Sequence, residues 1–312
     1  MKKATFSYRL SGTLSNHLEQ ITTLRQEILL TPLPIKTTQR YRWDALIEKI
    51  YWSLRLDGES LSKADIIAVL NSPQKKNMSH VEIDIHRYRY AFDYIYREWL
   101  GSKKPITTKM VLRLYELIGR GKIKEESSIT TVLEYLQTST EHPVLQAAIM
   151  LIEIFQTEPF TKDTDRIARI TAYLFLYKYG YDVDGMLVME EILFNNREKD
   201  LEIREKTYKD GNITPWLEHL TQGIAAYLTQ VKTKVAQKNP EAHLPAKLFE
   251  LTERQQAILS YLEKPGSRIT NRKCTSLFKV SQITASRELS KMASLGLLFA
   301  YGRGRSVYYT KV

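Results

Sequence analysis

The chain is poor in the residues that staple, bend or loosen a polypeptide. Cys274 is its single cysteine, which excludes an intrachain disulfide and any zinc cluster built on thiolates. With no histidine near it in sequence, Cys274 reads as a small core residue rather than a nucleophile. Thirteen glycines and ten prolines among 312 residues are too few for a disordered or fibrous chain. Long apolar runs are missing as well. The longest, 147–152 and 172–177, fall far below the roughly 20 residues a membrane-spanning helix needs. Met1-Lys2-Lys3 begins like a secretory leader, but residues 4–9 break any apolar stretch behind it, so a cytoplasmic protein with no membrane partner is expected. Acidic residues are scarce at one end. From residue 251 onward eleven Lys or Arg face only Glu253, Glu263 and Glu288, so this tail holds eight of the eleven net positive charges. Such a concentration predicts an anionic partner, foremost nucleic acid.

What is present is helical periodicity. A hydrophobic share of 43% over 312 residues suffices for two or three cored domains. After an extended start at 5–10, Leu14, Leu18, Ile21, Leu24 and Ile28 mark a helix that Thr31-Pro32-Leu33-Pro34 ends. Trp43, Ile47, Ile50 and Leu54 mark a second, running to Asp57-Gly58. Further helices are expected over 79–99 with an aromatic stripe that reads as packing, over 106–118 and over 129–136. Residues 142–155 and 167–177 are almost wholly apolar, as befits two helices buried on most sides. Between them lies a short polar loop, T-E-P-F-T-K-D-T-D-R-I-A-R over 157–169. Thr161, Asp163 or Asp165 there is expected to cap the second helix. Arg166 and Arg169, three apart, share a helix face and are expected to pair internally, with Asp57, Asp163 and Asp165 as available partners.

The loop resembles the signature of the Fic (Fido) family, H-P-F-x-(D/E)-G-N-G-R-x-x-R, which joins two central helices. Pro159, Phe160, Arg166 and Arg169 agree with it. Glu158 stands at the catalytic histidine position, Lys162 at the acidic metal-binding position, and Asp163, Thr164 and Asp165 at Gly-Asn-Gly. The resemblance implies nucleotide contacts by Phe160, Arg166 and Arg169, and a general base at Glu158; by residue type alone Phe160 reads as a core plug and Glu158 as either that base or a solvated loop carboxylate. Two departures weaken that chemistry. Gly-Asn-Gly lets backbone N–H groups curl round phosphates at a helix N-terminus, whereas two aspartates hinder the curl and repel anions. A carboxylate of ordinary pKa, about 4.3, replaces a group that titrates near neutrality. No metal site is expected. Ser53 to Gly58, ahead of the core, resembles the family's inhibitory helix, (S/T)-x-x-x-E-(G/N), with Asp57 for Glu. That Glu pairs with the second motif arginine in the family; Asp57 is one methylene shorter, which leaves its reach to Arg169 in question. The β-hairpin flap that clamps targets in the family is represented only by the short charged stretch 119–127, too short for that task. Residues 209–218, with Thr214 as helix cap and Pro215 in the first turn, resemble the family's closing helix.

Residues 232–250 are polar and contain Pro240 and Pro245, a linker pattern. Beyond it Thr252-x-x-Gln255 forms a capping box before a first helix, a turn is expected at Pro265-Gly266, a short helix over 271–279, and a third helix over 282–295. Leu297, Phe299 and Tyr301 then alternate, Gly302-Arg303-Gly304-Arg305 turns, and Val307 and Tyr309 alternate back. Three helices and a hairpin resemble a winged helix-turn-helix domain. The resemblance places Gln282, Thr284, Ser286 and Arg287 near base edges or phosphates, and Arg303 and Arg305 on a wing.

The expected fold is therefore mainly α, a Fic-like helical bundle followed by a winged-helix DNA-binding domain. Its divisions are an N-terminal helical region over 1–78, the Fic-like core over 79–231, the linker over 232–250 and the winged helix over 251–312. The expected function is DNA-binding transcriptional regulation with a degenerate Fic core that senses a ligand or a partner. The alternative is an enzyme that transfers AMP from ATP to a protein hydroxyl, and only then are ATP and Mg expected cofactors. A protein target and a homodimer are both left open.

Overall fold

Wherever the apolar stripe recurs at three- and four-residue spacing, the chain forms a helix and buries that stripe. The computed structural model describes residues 6–72, 77–138, 140–237, 251–263, 267–294, 297–301 and 307–311. Their first part holds α1 (Gly12–Leu30), α2 (Ile35–Leu56), α3 (Lys63–Asn71), α4 (His80–Trp99), α5 (Thr108–Ile118), α6 (Glu126–Thr138), α7 (Pro143–Thr157), α8 (Thr164–Tyr179), α9 (Met189–Asn195), α10 (Arg197–Asp210) and α11 (Thr214–Ala236). Their second part holds α12 (Glu253–Tyr261), β1 (Ile269–Thr270), α13 (Asn271–Phe278), α14 (Gln282–Ser294), β2 (Leu298–Tyr301) and β3 (Tyr308–Lys311).

α7 and α8 form the axis. Every residue from Val144 to Phe155 and from Arg166 to Tyr177 is buried, and each large apolar side chain so removed from water contributes about 1.5–3 kcal/mol. His142 starts α7 by accepting the Val144 N–H at its Nδ1, 3.2 Å away, with Pro143 in the first turn. Burial, then the nearby Arg25, push this imidazole down to about 4, which keeps it neutral and able to accept. Gly180, at φ 70, closes α8 in the left-handed region. α11 crosses α7, and the Trp216 indole donates to the Ala148 carbonyl at 3.0 Å.

One core runs from Leu14 to Val235, so the boundary expected at 78/79 does not divide it. The extended start survives as a parallel bridge of Ser7 with Asn212. Thr214 is the first residue of α11 rather than its cap; Asn212 Oδ1 accepts its N–H at 3.0 Å. Lys232 to Ala236, expected to begin the linker, are the last turn of α11, and 238–250 lie outside the described residues.

A second core gathers Ile258, Ile269, Cys274, Leu289, Met292 and Tyr309. The capping box of Thr252 and Gln255 starts α12 as expected. β3 lies between β1 and β2 in an antiparallel sheet, with Ile269 opposite Tyr309 and Tyr301 opposite Tyr308. β1 has no sequence signature because two residues are too short to show alternation. The turns expected at Pro265-Gly266 and Gly302–Arg305 lie outside the described residues.

α4 touches both cores. Arg89 Nη2 donates to the Ala293 carbonyl in the last turn of α14 at 2.8 Å, where a cation also favours the helix dipole. Arg97 donates to the Ala300 carbonyl at 3.3 Å, and its guanidinium lies 4.8 Å from the centre of the Tyr301 ring.

Glu153 on α7 is buried, and its Oε1 has no hydrogen-bond partner. Burial pushes this carboxyl up to about 7. A raised folded pKa means that the native state binds the extra proton between about 4.5 and 7, so stability falls as pH rises through that window. Glu153→Gln is expected to match the parent near pH 4.5 and to exceed it by about 3 kcal/mol above pH 7. Urea unfolding at the two pH values checks this; a pH-independent difference refutes it.

Candidate functional site

The loop between α7 and α8 is bounded by two residues in the left-handed region, Glu158 at φ 42 and Asp163 at φ 61. Aspartate is among the side chains that tolerate this region, so Asp163 adopts it without a glycine. Asp163 is also clasped from outside. Its carboxylate accepts the Arg120 backbone N–H at 2.8 Å and Arg120 Nη2 at 2.7 Å.

That clasp belongs to a longer seam. Thr161 N–H donates to the Lys122 carbonyl at 2.9 Å, Lys124 N–H to the Pro159 carbonyl at 2.8 Å, and Ile123 pairs antiparallel with Phe160. Gly121 permits the approach, since a Cβ there would lie 2.3 Å from Thr161 Oγ1. The stretch expected to be too short for a target-clamping flap is thus itself strand-paired to the motif loop. Thr161 spends its hydroxyl on Lys122 N–H, 2.8 Å away, and Asp163 holds the N-cap position of α8 without a side-chain cap bond. Asp163 thus takes the expected cap position, with Asp165 in the first turn beside the dipole, while Thr161 is engaged elsewhere.

The motif arginines are paired. Asp57, just past α2, accepts Arg166 Nη2 at 2.7 Å and Nε at 2.9 Å through Oδ2, and Arg169 Nη2 at 2.9 Å through Oδ1. The shorter side chain therefore reaches Arg169, because it stands between the two guanidiniums and bridges both. Asp84 on α4 lies 3.0 Å from Arg166 Nη1 and 3.4 Å from Arg120 Nη1 through the same Oδ2. A continuous chain of alternating charge results: Arg169, Asp57, Arg166, Asp84, Arg120, Asp163. Tyr88 on α4 donates to Asp57 Oδ2 at 3.1 Å, and Ser53, one turn before Asp57, is fully buried. Burial disfavours the Asp57 carboxylate, but Arg169 and then Arg166 outweigh it and hold its pKa below the usual value. Arg169 Nε is buried without a hydrogen-bond partner, and Arg166 Nη1 faces Asp84 without hydrogen-bond alignment. One donor, Arg169 Nε, is therefore unspent.

The other expected site residues are placed elsewhere. Glu158 is 69% exposed at its side chain, 3.6 Å from Lys124 Nζ, a solvated carboxylate outside the chain of charges. Phe160 is 1% exposed and stacks on Tyr115 at 4.2 Å; it is the core plug its residue type suggests, and the nucleotide contact the resemblance implies gives way to packing. Asp165 is exposed and faces Arg204 at 3.9 Å. Among the described residues no group of three His, Cys, Asp or Glu is placed to hold a metal.

In the C-terminal part, Gln282, Ser286 and Arg287 line a groove of about 320 Å³ with Asn271 and Ile283. Gln282 and Arg287 are exposed. Thr284 is half-buried and pairs with the Ser281 hydroxyl at 2.9 Å, while Ser281 accepts the Thr284 N–H at 3.1 Å; it serves the helix start rather than the groove. Glu288, the acid of α14, is turned inward to Arg254 at 3.3 Å and Gln255 at 2.5 Å. The outer face is left basic. Arg303 and Arg305 lie outside the described residues.

Solved structures share this architecture. A Fic family protein from Desulfovibrio desulfuricans matches with TM-score 0.60 at 14% identity, covering 100% of this chain and 98% of its own. The fold is that of Fic proteins. A Fic-domain signalling protein from Bacteroides thetaiotaomicron matches with TM-score 0.58 at 16% identity over 72% of this chain and 100% of its own. Fic-1 from C. elegans matches with TM-score 0.55 at 16% identity over 72% of each chain. No protein-family model and no curated protein matches the chain.

Within this Fic fold, sequence reasoning missed Asp84, Tyr88 and Arg120. Asp84 carried a signal, an acid directly before Ile85 on an apolar stripe, and Arg120 another, a cation flanked by two glycines. Removing Asp57 strands the buried Arg169 and leaves Arg166 with Asp84 alone. Asp57→Ala is expected to cost about 3–5 kcal/mol, and pyrophosphate to return part of that loss by binding the freed arginines. Scanning calorimetry with and without pyrophosphate decides; an undiminished melting point in the variant refutes the bridge as the site's support.

Proposed function

We propose that the protein is a DNA-binding transcriptional regulator whose Fic-fold bundle has given up AMP transfer and acts as a ligand-sensing or interaction module. One observation carries the reading, the division of charge. Three arginines at the motif are matched by three aspartates of the same chain, while the basic face of α14 stands beside an open groove. In this reading residues 251–312 are a winged helix-turn-helix, α14 enters the major groove, and Arg303 and Arg305 add phosphate contacts. Gln282, Ser286 and Arg287 meet bases or backbone.

A sensing role gains support from α4. Its Asp84 and Tyr88 serve the ion-pair chain, and its Arg89 and Arg97 hold the far end of α14 and β2. AMP transfer onto a protein hydroxyl, with ATP and Mg as cofactors, is disfavoured on two grounds. Asp57 spans both arginines such chemistry would use, and Glu158 sits in solvent beside Lys124.

Gel-shift titration of the full chain against a random-sequence duplex pool tests the DNA half. Affinity is expected to fall by more than about tenfold between about 50 and 200 mM salt, as counterion release by several phosphates requires, and Arg287→Ala to weaken it at every salt concentration. No retardation of any duplex at low salt refutes the reading. Labelled ATP with cell lysate tests the other half: a labelled band that disappears on Glu158→Ala restores the enzyme.

A further inference from the structure

We infer that Ile283 reads the 5-methyl group of thymine in the major groove, and so sets part of the sequence preference of α14; the inference rests on the DNA-binding reading above. Ile283 is 65% exposed in the first turn of α14. A β-branched side chain is a poor choice for a solvated helix turn, and packing does not require it, because Ala285, Leu289 and Met292 on the same helix fill the small core and are fully buried.

Its surroundings point to an occupant. Ile283 shares its groove with Asn271, Gln282, Ser286 and Arg287, all of which carry hydrogen-bonding groups of the kind that read base edges and phosphates. One apolar group stands in a polar recess beside a basic surface whose only helical acid, Glu288, is turned away. The major groove of DNA has the complementary pattern: donors and acceptors on every base pair, and one apolar projection, the thymine methyl. RNA lacks that methyl, and its major groove is too narrow for a helix. Charge and chemistry together therefore select duplex DNA over RNA or an apolar protein surface.

The spacing adds a register. Arg287 follows Ile283 by four residues, about 6 Å along the helix, against about 3.4 Å per base step. The thymine met by Ile283 accordingly lies within about two base pairs of the base or phosphate met by Arg287.

Selection from a random-sequence duplex pool with the full chain supplies a bound sequence, which is then resynthesised with deoxyuridine for thymidine at one position at a time. One substitution is expected to weaken binding about fourfold, the value of one buried methyl, within two base pairs of the position most sensitive to Arg287→Ala. Ile283→Ala is expected to abolish that difference, and Ile283→Val to retain part of it; both side chains are solvated, so the fold is not at stake. Equal affinity for every thymidine and deoxyuridine pair overturns this inference while leaving DNA binding intact. No duplex retained at any salt concentration overturns both. A change in sedimentation of the free protein on Ile283→Ala marks a protein interface instead, and overturns the inference.

Discussion

Two guanidiniums buried side by side repel each other unless a carboxylate stands between them, and Asp57 is that carboxylate. Charges out of water are tolerated only when paired and hydrogen-bonded. The chain from Arg169 to Asp163 meets this requirement by strict alternation, three cations against three anions. Its members come from the end of α2, from α4, from the segment after α5 and from α8, so one electrostatic condition fixes four pieces of backbone. The left-handed turn at Asp163 belongs to the same condition, since Arg120 holds that residue through both its backbone and its side chain.

Neutralisation inside the bundle contrasts with the C-terminal part. There the single acid of α14 is drawn inward and the cations stay outside. The two regions meet on α4, whose stripes are distinct: positions 84 and 88 are one turn apart and face the motif, while 89 and 97 are two turns apart and face α14 and β2. A rigid helix that carries contacts to both regions on separate stripes ties their positions together without any shared side chain.

The bundle was legible because its helices are long and periodic. α1, α2, α4, α7 and α8 fall where Leu14, Ile50, Ile85, Ile149 and Leu174 lead, and burial alone decides them. The pairing of Arg166 and Arg169 with Asp57 could be named from the loop and the end of α2. Its bridging geometry could not, because reach across 109 residues of chain depends on how α2 packs on α8. Asp84 and Arg120 escaped for the same reason: the signal each carries names no partner until folding sets Asp84 beside Arg166 and Arg120 beside Asp84 and Asp163. Thr161 and Thr214 do not serve as caps because a segment distant in sequence engages each hydroxyl, the Lys122 N–H in one case and the Arg9 N–H in the other, and the cap position of α8 falls to Asp163. Phe160 was legible as a core plug from its hydrophobicity alone, and its stack on Tyr115 agrees.

The bridge also limits what can open the site. An anion that displaces Asp57 has to satisfy Arg166 and Arg169 together, at oxygen positions 2.7 and 2.9 Å from their nitrogens, so a single charge on one oxygen is a poor substitute. A polyanion additionally gains the donor left unspent at Arg169 Nε, and a ligand shifts an equilibrium only by such differential contacts. Displacement has a second consequence. The Tyr88 hydroxyl loses its acceptor when Asp57 leaves, and a buried donor without a partner is costly. The tyrosine must then turn to the ligand or move with α4. On the sensing role proposed above, that cost is what would couple occupancy to α4, the helix that holds α14.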